Sequence, residues 1–445
     1  MEKFMVTPDW VPRSSLPFFR NVRYNYNLIN YWSAAVALIV QKYGGTSLAN
    51  PDHIANVANR VAKGWRDGNR MVVVLSAMAG ETDRLLNLAK ELAEDPDPRE
   101  LDVLLATGEQ VTVSLFSMFL RSQGVPATSL LSHQARIYTD RAYGRARIIG
   151  IDTGRIREEL KKNRIVTLAG FQGVDEVGNI TTLGRGGSDT TAVAVAASLK
   201  ADLCEIYTDV EGIYTTDPRI CPKARKLERI TYDEILEMSS LGAKVLEIRS
   251  VGFARRYGVP LVVRSSFTDQ PGTLVTVEDE EMEIVPVSGV ALSRNDARVT
   301  ITRVPDRPGV AMHLFRPVAD ANIVVDMIIQ NTSIDGFTDL TFTVPQGDLK
   351  KTLELMAPVA REIGAQQVLS DENIAKVSIV GVGMKNNAGV AAKMFEALAA
   401  EGINILMIST SEIKISCVIQ DKYGELAVRT LHDAFGLENP PPKKR

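Results

Sequence analysis

The chain has 445 residues, 45% of them hydrophobic, and its 51 Lys and Arg against 54 Asp and Glu leave a formal net charge of −3. That length exceeds what one core organises and predicts two or three domains, while the balanced charge excludes a strong field for nucleic acid or an anionic membrane. Cys204, Cys221 and Cys417 lie far apart without a CxxC pair, which excludes a disulfide framework or structural zinc and points to a reducing compartment.

Residues 1–35, with Trp10, Pro12, Phe18, Phe19, Tyr24 and Tyr26, show neither helical nor strand periodicity and read as an irregular tail. Translation assigned too far upstream explains it most simply, with Val36 the true start if its codon is GTG; a docking arm is the functional alternative. The apolar run at 34–40 is too short to span a bilayer and lacks a cleavage site, so a cytoplasmic protein is expected.

From 36 to about 277, short apolar runs alternate with amphipathic stretches, the pattern of an α/β layered, mainly parallel sheet. The predicted strands are 36–41, 71–76, 165–169, 203–208 and 260–263, several of them continuously apolar as expected of strands covered on both faces. The predicted helices are 53–66, 99–120 and 188–200. Past an acidic stretch at 278–283, an internal repeat appears: Gly309-Val310-Ala311 matches Gly389-Val390-Ala391, Phe315 matches Phe395 and Met327-Ile328 matches Met407-Ile408, always 80 residues apart. Each copy reads strand (298–302; 376–380), turn, helix (310–319; 390–400), strand (323–329; 403–408), giving two small α+β modules in tandem.

Four segments carry chemistry. Lys42-Tyr43-Gly44-Gly45-Thr46-Ser47 follows a predicted strand; its glycines let backbone N–H groups approach a phosphate and its lysine supplies a full charge, although a plain tight turn reads the same way. No GxxxxGK[ST] occurs, which excludes the P-loop route to ATP. Thr181 to Thr191 (TTLGRGGSDTT) sets three glycines and the Arg185 fork before an alanine-rich helix, a donor-rich surface for carboxylate or phosphate, with Ser188 or Asp189 also a candidate N-cap. Glu109, in Thr107-Gly108-Glu109, is an acid in an apolar helical run, and taken alone it is expected to face water. Tyr207 to Arg219 (YTDVEGIYTTDPR) reads as a strand running into a polar, Pro-closed turn.

As an ordered set, KYGGTS, SAMAGETD (76–83), LLATGEQ, TTLGRGGSDTTA, YTDVEGIYTTDPR, GAKVLEIRS and VVRSSF resemble the amino acid kinase family, specifically aspartate kinases, from Leu38 to about Leu437. Tyr43 stands where Phe is usual, and Glu247-Ile248 where many relatives carry His-Pro. The resemblance implies an amino acid kinase domain at 36–280 followed by two ferredoxin-like ACT modules at 281–370 and 371–445. It further implies transfer of the γ-phosphoryl of ATP to the β-carboxylate of L-aspartate, with Mg²⁺ held mainly by nucleotide phosphates and no dedicated metal ligands.

The implied catalytic residues are Lys42, Arg185 and Asp189, with Asp189 orienting Lys42. Arg185 would pair with the aspartate α-carboxylate and Glu109 with its ammonium, in a pocket shared by Thr46, Ser76, Thr82 and Ser188. Lys42, Gly44, Gly45, Thr208, Asp209, Tyr214, Asp217, Arg219 and Lys244 match nucleotide contacts. Lysine, threonine or both are the expected effectors, at Asp306, Gly309, Gln330, Asn331 and Ser333 with Asn404, Ile405, Ser411 and Glu412 of the second repeat. Asn386-Asn387-Ala388-Gly389 lacks the Asp and Pro of its sister turn, Asp306-Arg307-Pro308-Gly309, so two equivalent sites are not assumed. A homodimer or α₂β₂ assembly through the ACT modules is expected, the latter with Met282 as an internal start. The alternatives are a non-catalytic amino acid sensor and an acetylglutamate, glutamate or uridylate kinase.

Overall fold

The computed structural model describes residues 36–241, 246–279, 282–331 and 335–440. The tail and two expected site residues, Lys244 and Ser333, lie outside them. The chain forms two compact units, one of residues up to 211 with 249–276, the other of 212–248 with 277 onward.

The first unit is built on strands β1 (Leu38–Tyr43), β2 (Arg70–Leu75), β3 (Ala127–Leu130), β4 (Ile165–Ala169), β5 (Leu203–Thr208), β6 (Leu261–Ser265) and β7 (Thr273–Thr276), in the order β7-β6-β5-β1-β2-β4-β3. All neighbours are parallel except β6 and β7. Continuous burial of Val72 to Leu75 and Ile165 to Ala169 follows from helices on both faces. Helix α1 (Pro51–Arg66) starts where Asn50 accepts the His53 N–H and Pro51 fixes the first turn, and it buries Ile54, Val57, Ala58 and Val61 against the sheet. After α2 (Glu81–Leu92), the helix expected over 99–120 proves to be two, α3 (Pro98–Leu105) and α4 (Thr107–Ser122). The Ala106 carbonyl is taken by the Gln172 amide and the Leu104 carbonyl by the Thr107 hydroxyl, so the intrahelical ladder breaks there. Past the polar residues 188–191 at its start, helix α5 (Gly187–Leu199) is apolar around its circumference, and it is almost wholly buried.

The second unit contains both α+β modules. In the first, β9 (Asp296–Pro305), α6 (Val310–Asp320), β10 (Asp326–Gln330), β11 (Phe337–Pro345), α7 (Leu349–Ile363) and β12 (Gln367–Asp371) give a sheet of order β10-β11-β9-β12. In the second, β13 (Ile374–Val380), α8 (Val390–Ala400), β14 (Met407–Thr410), β15 (Lys414–Gln420) and α9 (Gly424–Ala434) repeat the pattern, but the fourth strand comes from earlier in the chain. That strand, β8 (Gly289–Ser293), pairs antiparallel with β13, so the sheet reads β8-β13-β15-β14 and the modules are nested rather than strictly in tandem. Residues within 212–241 also pack on the second module. Cys221 belongs to its apolar core, and Glu234, at the capped start of a helix over Tyr232–Ser240, accepts from the Val382 N–H and the Ser288 hydroxyl.

Candidate active site

The parallel strands of the first unit bring their C-terminal ends to one edge. The connection after β1 leads to β2 on one side, while the one after β4 returns to β5 on the other, so the loops diverge beside β1 and leave a crevice. Strand β1 runs to Tyr43, two residues past its expected end at 41, which puts Lys42 within the strand rather than beyond it. Its Nζ lies 2.5 Å from Asp189 Oδ1 in the first turn of α5. A Cβ on Gly44 would stand 3.3 Å from that amine, and one on Gly45 would reach 3.0 Å from the Ala77 carbonyl. The two glycines therefore hold the turn close to both the lysine and the loop after β2.

Glu109 corrects the sequence reading, because it does not face water: it is 3% exposed. Its Oε1 accepts the Ala77 N–H at 3.0 Å, while Oε2 is buried without a hydrogen-bond partner. Burial dominates and pushes its pKa up to about 7, against the opposing pull of the Ala77 N–H. Gly108 is required beside it, since a Cβ there would meet the Ala77 Cβ at 2.8 Å. A half-satisfied buried carboxylate that ionises near neutrality is a fitting receptor for a cationic group.

In the loop before α5, Gly184 and Gly186 adopt φ of +76° and +69°, conformations costly for other residues. Ser188 is buried over Gly170, where a Cβ would come within 2.7 Å of its hydroxyl. Arg185, three residues earlier, is exposed and makes no ion pair among the described residues. Thr46 is exposed on the turn after β1, Ser76 directly follows β2 with its N–H on the Tyr43 carbonyl, and Thr82 lies in the first turn of α2. Thr208 ends β5 and donates its hydroxyl to Asp209.

A buried polar network beneath Lys42 escaped the sequence reading. Strand alternation turns Gln41 and Tyr43 to the face opposite the lysine, where the Gln41 amide donates to Glu205 at 2.7 Å and the Tyr43 hydroxyl to Gln41 at 3.2 Å. Arg264 pairs with Glu205 at 3.0 Å, and the rings of Tyr43 and Tyr207 stack 4.4 Å apart. Three adjoining apolar strands each carrying one strongly polar residue on that face (Gln41, Glu205 and Arg264) was the available signal.

Tyr214, Asp217 and Arg219 fall in the second unit. They lie on a hairpin closed by hydrogen bonds between Ile213 and Leu227 and between Thr215 and Arg225, with Asp217 gripping the Arg219 guanidinium at 2.7 Å. In the first α+β module, Asp306, Gly309 and Gln330 line one cavity of about 390 Å³ together with Arg307 and Pro308. Gly309, at φ +93°, caps α6 there, and Asn331 directly follows Gln330. Asn404, Ile405, Ser411 and Glu412 lie in the second module and are not among the residues lining that cavity.

The amino acid kinase family model matches residues 37–265, and ACT domain models match residues 298–360 and 377–435. An aspartate kinase of Pseudomonas putida is 58% identical over 406 residues, covering 91% of this chain and 99% of that one. Aspartokinase III of E. coli, solved with aspartate and ADP in its R-state, is similar at 28% identity and a TM-score of 0.72 over 89% of this chain and 99% of that one. Its T-state complex with lysine and aspartate gives a TM-score of 0.70 at the same identity and coverage.

Proposed function

We propose, because this chain belongs to the aspartate kinase family, that it transfers the γ-phosphoryl group of ATP to the β-carboxylate of L-aspartate at the crevice beside β1, forming 4-phospho-L-aspartate. The observation carrying this reading is the Lys42–Asp189 contact at 2.5 Å, set among Gly44, Gly45 and the buried, half-satisfied Glu109.

The substrate carboxylate is ionised at neutral pH and needs no general base. One of its oxygens forms a bond to the γ-phosphorus as the bond to the β–γ bridging oxygen breaks and ADP departs in line. Lys42, held by Asp189, neutralises charge on the moving phosphoryl group, and the backbone at Gly44 and Gly45 approaches its oxygens. Glu109 receives the aspartate ammonium and the Arg185 fork its α-carboxylate, with Thr46, Ser76, Thr82 and Ser188 lining the pocket. Thr208, Asp209, Tyr214, Asp217, Arg219 and Lys244 serve the nucleotide. A Mg²⁺ ion would be carried mainly on the nucleotide phosphates, where it would screen their charge.

The cavity around Asp306, Gly309 and Gln330 is assigned to an amino acid effector, lysine or threonine, with Asp306 taking the ammonium and the turn's backbone N–H groups the carboxylate. The effector acts by binding one arrangement of the ACT modules better than another and misaligning the Arg185 loop. Exposed Val324, Ile328 and Ile408, on and beside edge strands, favour assembly with a second copy. ADP release measured with aspartate, acetylglutamate, glutamate and UMP in parallel tests the activity, and only aspartate should support turnover. The same assay at saturating lysine plus threonine tests the control; an unchanged rate would remove the regulatory part alone.

A further inference from the structure

Besides the packing of Cys221 in the core of the second ACT module, one buried polar side chain of that module holds the hairpin carrying Tyr214, Asp217 and Arg219. His432, on α9, is 0% exposed, and its Nε2 lies 3.0 Å from the Thr215 hydroxyl. Thr215 is itself fully buried and is bonded through its hydroxyl, its N–H and its carbonyl. Its hydroxyl accepts the Arg225 N–H, its N–H reaches the Arg225 carbonyl, and its carbonyl accepts the Val290 N–H of β8 at 2.7 Å. Gly289 lies directly beneath, where a Cβ would stand 2.9 Å from the Thr215 carbonyl. Two further contacts from α9 follow the hairpin toward its end: Asp433 pairs with Lys223 at 2.9 Å, and Arg429 donates to the Ile220 carbonyl.

The histidine's ionisation agrees with this arrangement. Burial lowers its pKa and keeps the ring neutral, with a single N–H. Its Nδ1 is buried with no hydrogen-bond partner among the described residues. Nε2 and the Thr215 hydroxyl, which also accepts the Arg225 N–H, share one hydrogen bond whose donor is set by the ring's tautomer. We propose that His432 is a positioning residue for nucleotide binding: through the Thr215 hydroxyl it fixes the hairpin segment that presents Tyr214, Asp217 and Arg219. The ACT core thereby holds part of the nucleotide machinery directly. This rests on the assignment of those three residues to ATP.

The test compares KM for ATP and for aspartate in His432→Phe, His432→Gln, Thr215→Val, Thr215→Ser and Arg219→Ala, with thermal unfolding of each. Losing one buried hydrogen bond is expected to raise KM for ATP about fivefold or more in His432→Phe and Thr215→Val, with KM for aspartate within about twofold of the parent. His432→Gln, whose amide can donate or accept near the Nε2 position, and Thr215→Ser should restore most of the affinity. The double variant His432→Phe/Thr215→Val should be little worse than either single one. If His432→Phe does not fold, the Thr215 pair decides on its own. An unchanged KM for ATP in the variants that remove the bond, or equal rises for both substrates, would overturn the proposal. An unchanged KM for ATP in Arg219→Ala would instead overturn the nucleotide assignment.

Discussion

Glu109 combines a buried position, one backbone donor and one unpartnered oxygen, and this makes aspartate binding dependent on pH in a definite direction. Below about pH 7 the folded protein holds a proton on Glu109 that a substrate ammonium must displace. KM for aspartate should climb as the pH falls below that value, approaching about tenfold per unit, and Glu109→Gln should show a raised but flat profile. Stability runs the other way. The unfolded chain ionises this carboxyl in the ordinary range, so the ligand-free protein loses stability as pH rises from there toward 7, and Glu109→Gln should lack that loss in denaturant titrations. At Arg185, Arg185→Ala should raise KM for aspartate by about 10- to 100-fold, in line with about 1.5–3 kcal/mol for a charge-assisted contact, and Arg185→Lys should recover only part. Full aspartate affinity in Arg185→Lys would refute the fork's assignment.

At the scale of elements, the turn after β1 separates stability from function. In Gly44→Ala the new methyl would press on the end of a flexible lysine rather than on backbone. The fold should tolerate it, with Tm lowered by at most a few degrees, while displacement of the amine reduces kcat by about tenfold or more. A Tm unchanged together with an unchanged kcat would show that the amine's position is not critical. Much of this region was legible in the sequence, because glycines and a lysine interrupting an apolar strand stand out against their neighbours. The burial of Glu109 was not, since the Ala77 N–H that anchors it lies 32 residues away and helical periodicity alone cannot report such a partner. The split between α3 and α4 was hidden for the same reason: Gln172, distant in the chain, takes the carbonyl that would have continued the helix. The bond between Thr215 and His432 spans 217 residues and left no local trace.

Across the second unit as a whole, the two ACT modules meet at a buried lysine. Lys376 of β13, in the second module, contacts Asp326 at 2.8 Å and Asp296 at 3.2 Å, both in the first. Burial alone would lower the lysine's pKa and raise that of Asp326; their mutual attraction reverses both, so the amine titrates above its usual range and the carboxyl below. The stabilisation from Asp326 is therefore present above the ordinary carboxylate range and lost as pH falls through it. Lys376→Met should leave two carboxylates facing one another, destabilise this unit by about 2 kcal/mol in urea titrations, and weaken the response to amino acid effectors. Unaltered inhibition in that variant would show that the junction carries no signal.

Two similar modules were readable from the 80-residue repeat. Their nesting was not, because β8 lies before the repeat begins and joins the second sheet only in three dimensions. The first module leaves its host after Ser293 and rejoins it at Ile374, on neighbouring antiparallel strands, through joints of two residues each. It is thus a cassette plugged into a single socket, whose two prongs lie side by side. A guest of different ligand preference, if its own ends were equally close, could be exchanged there without opening the sheet that receives it.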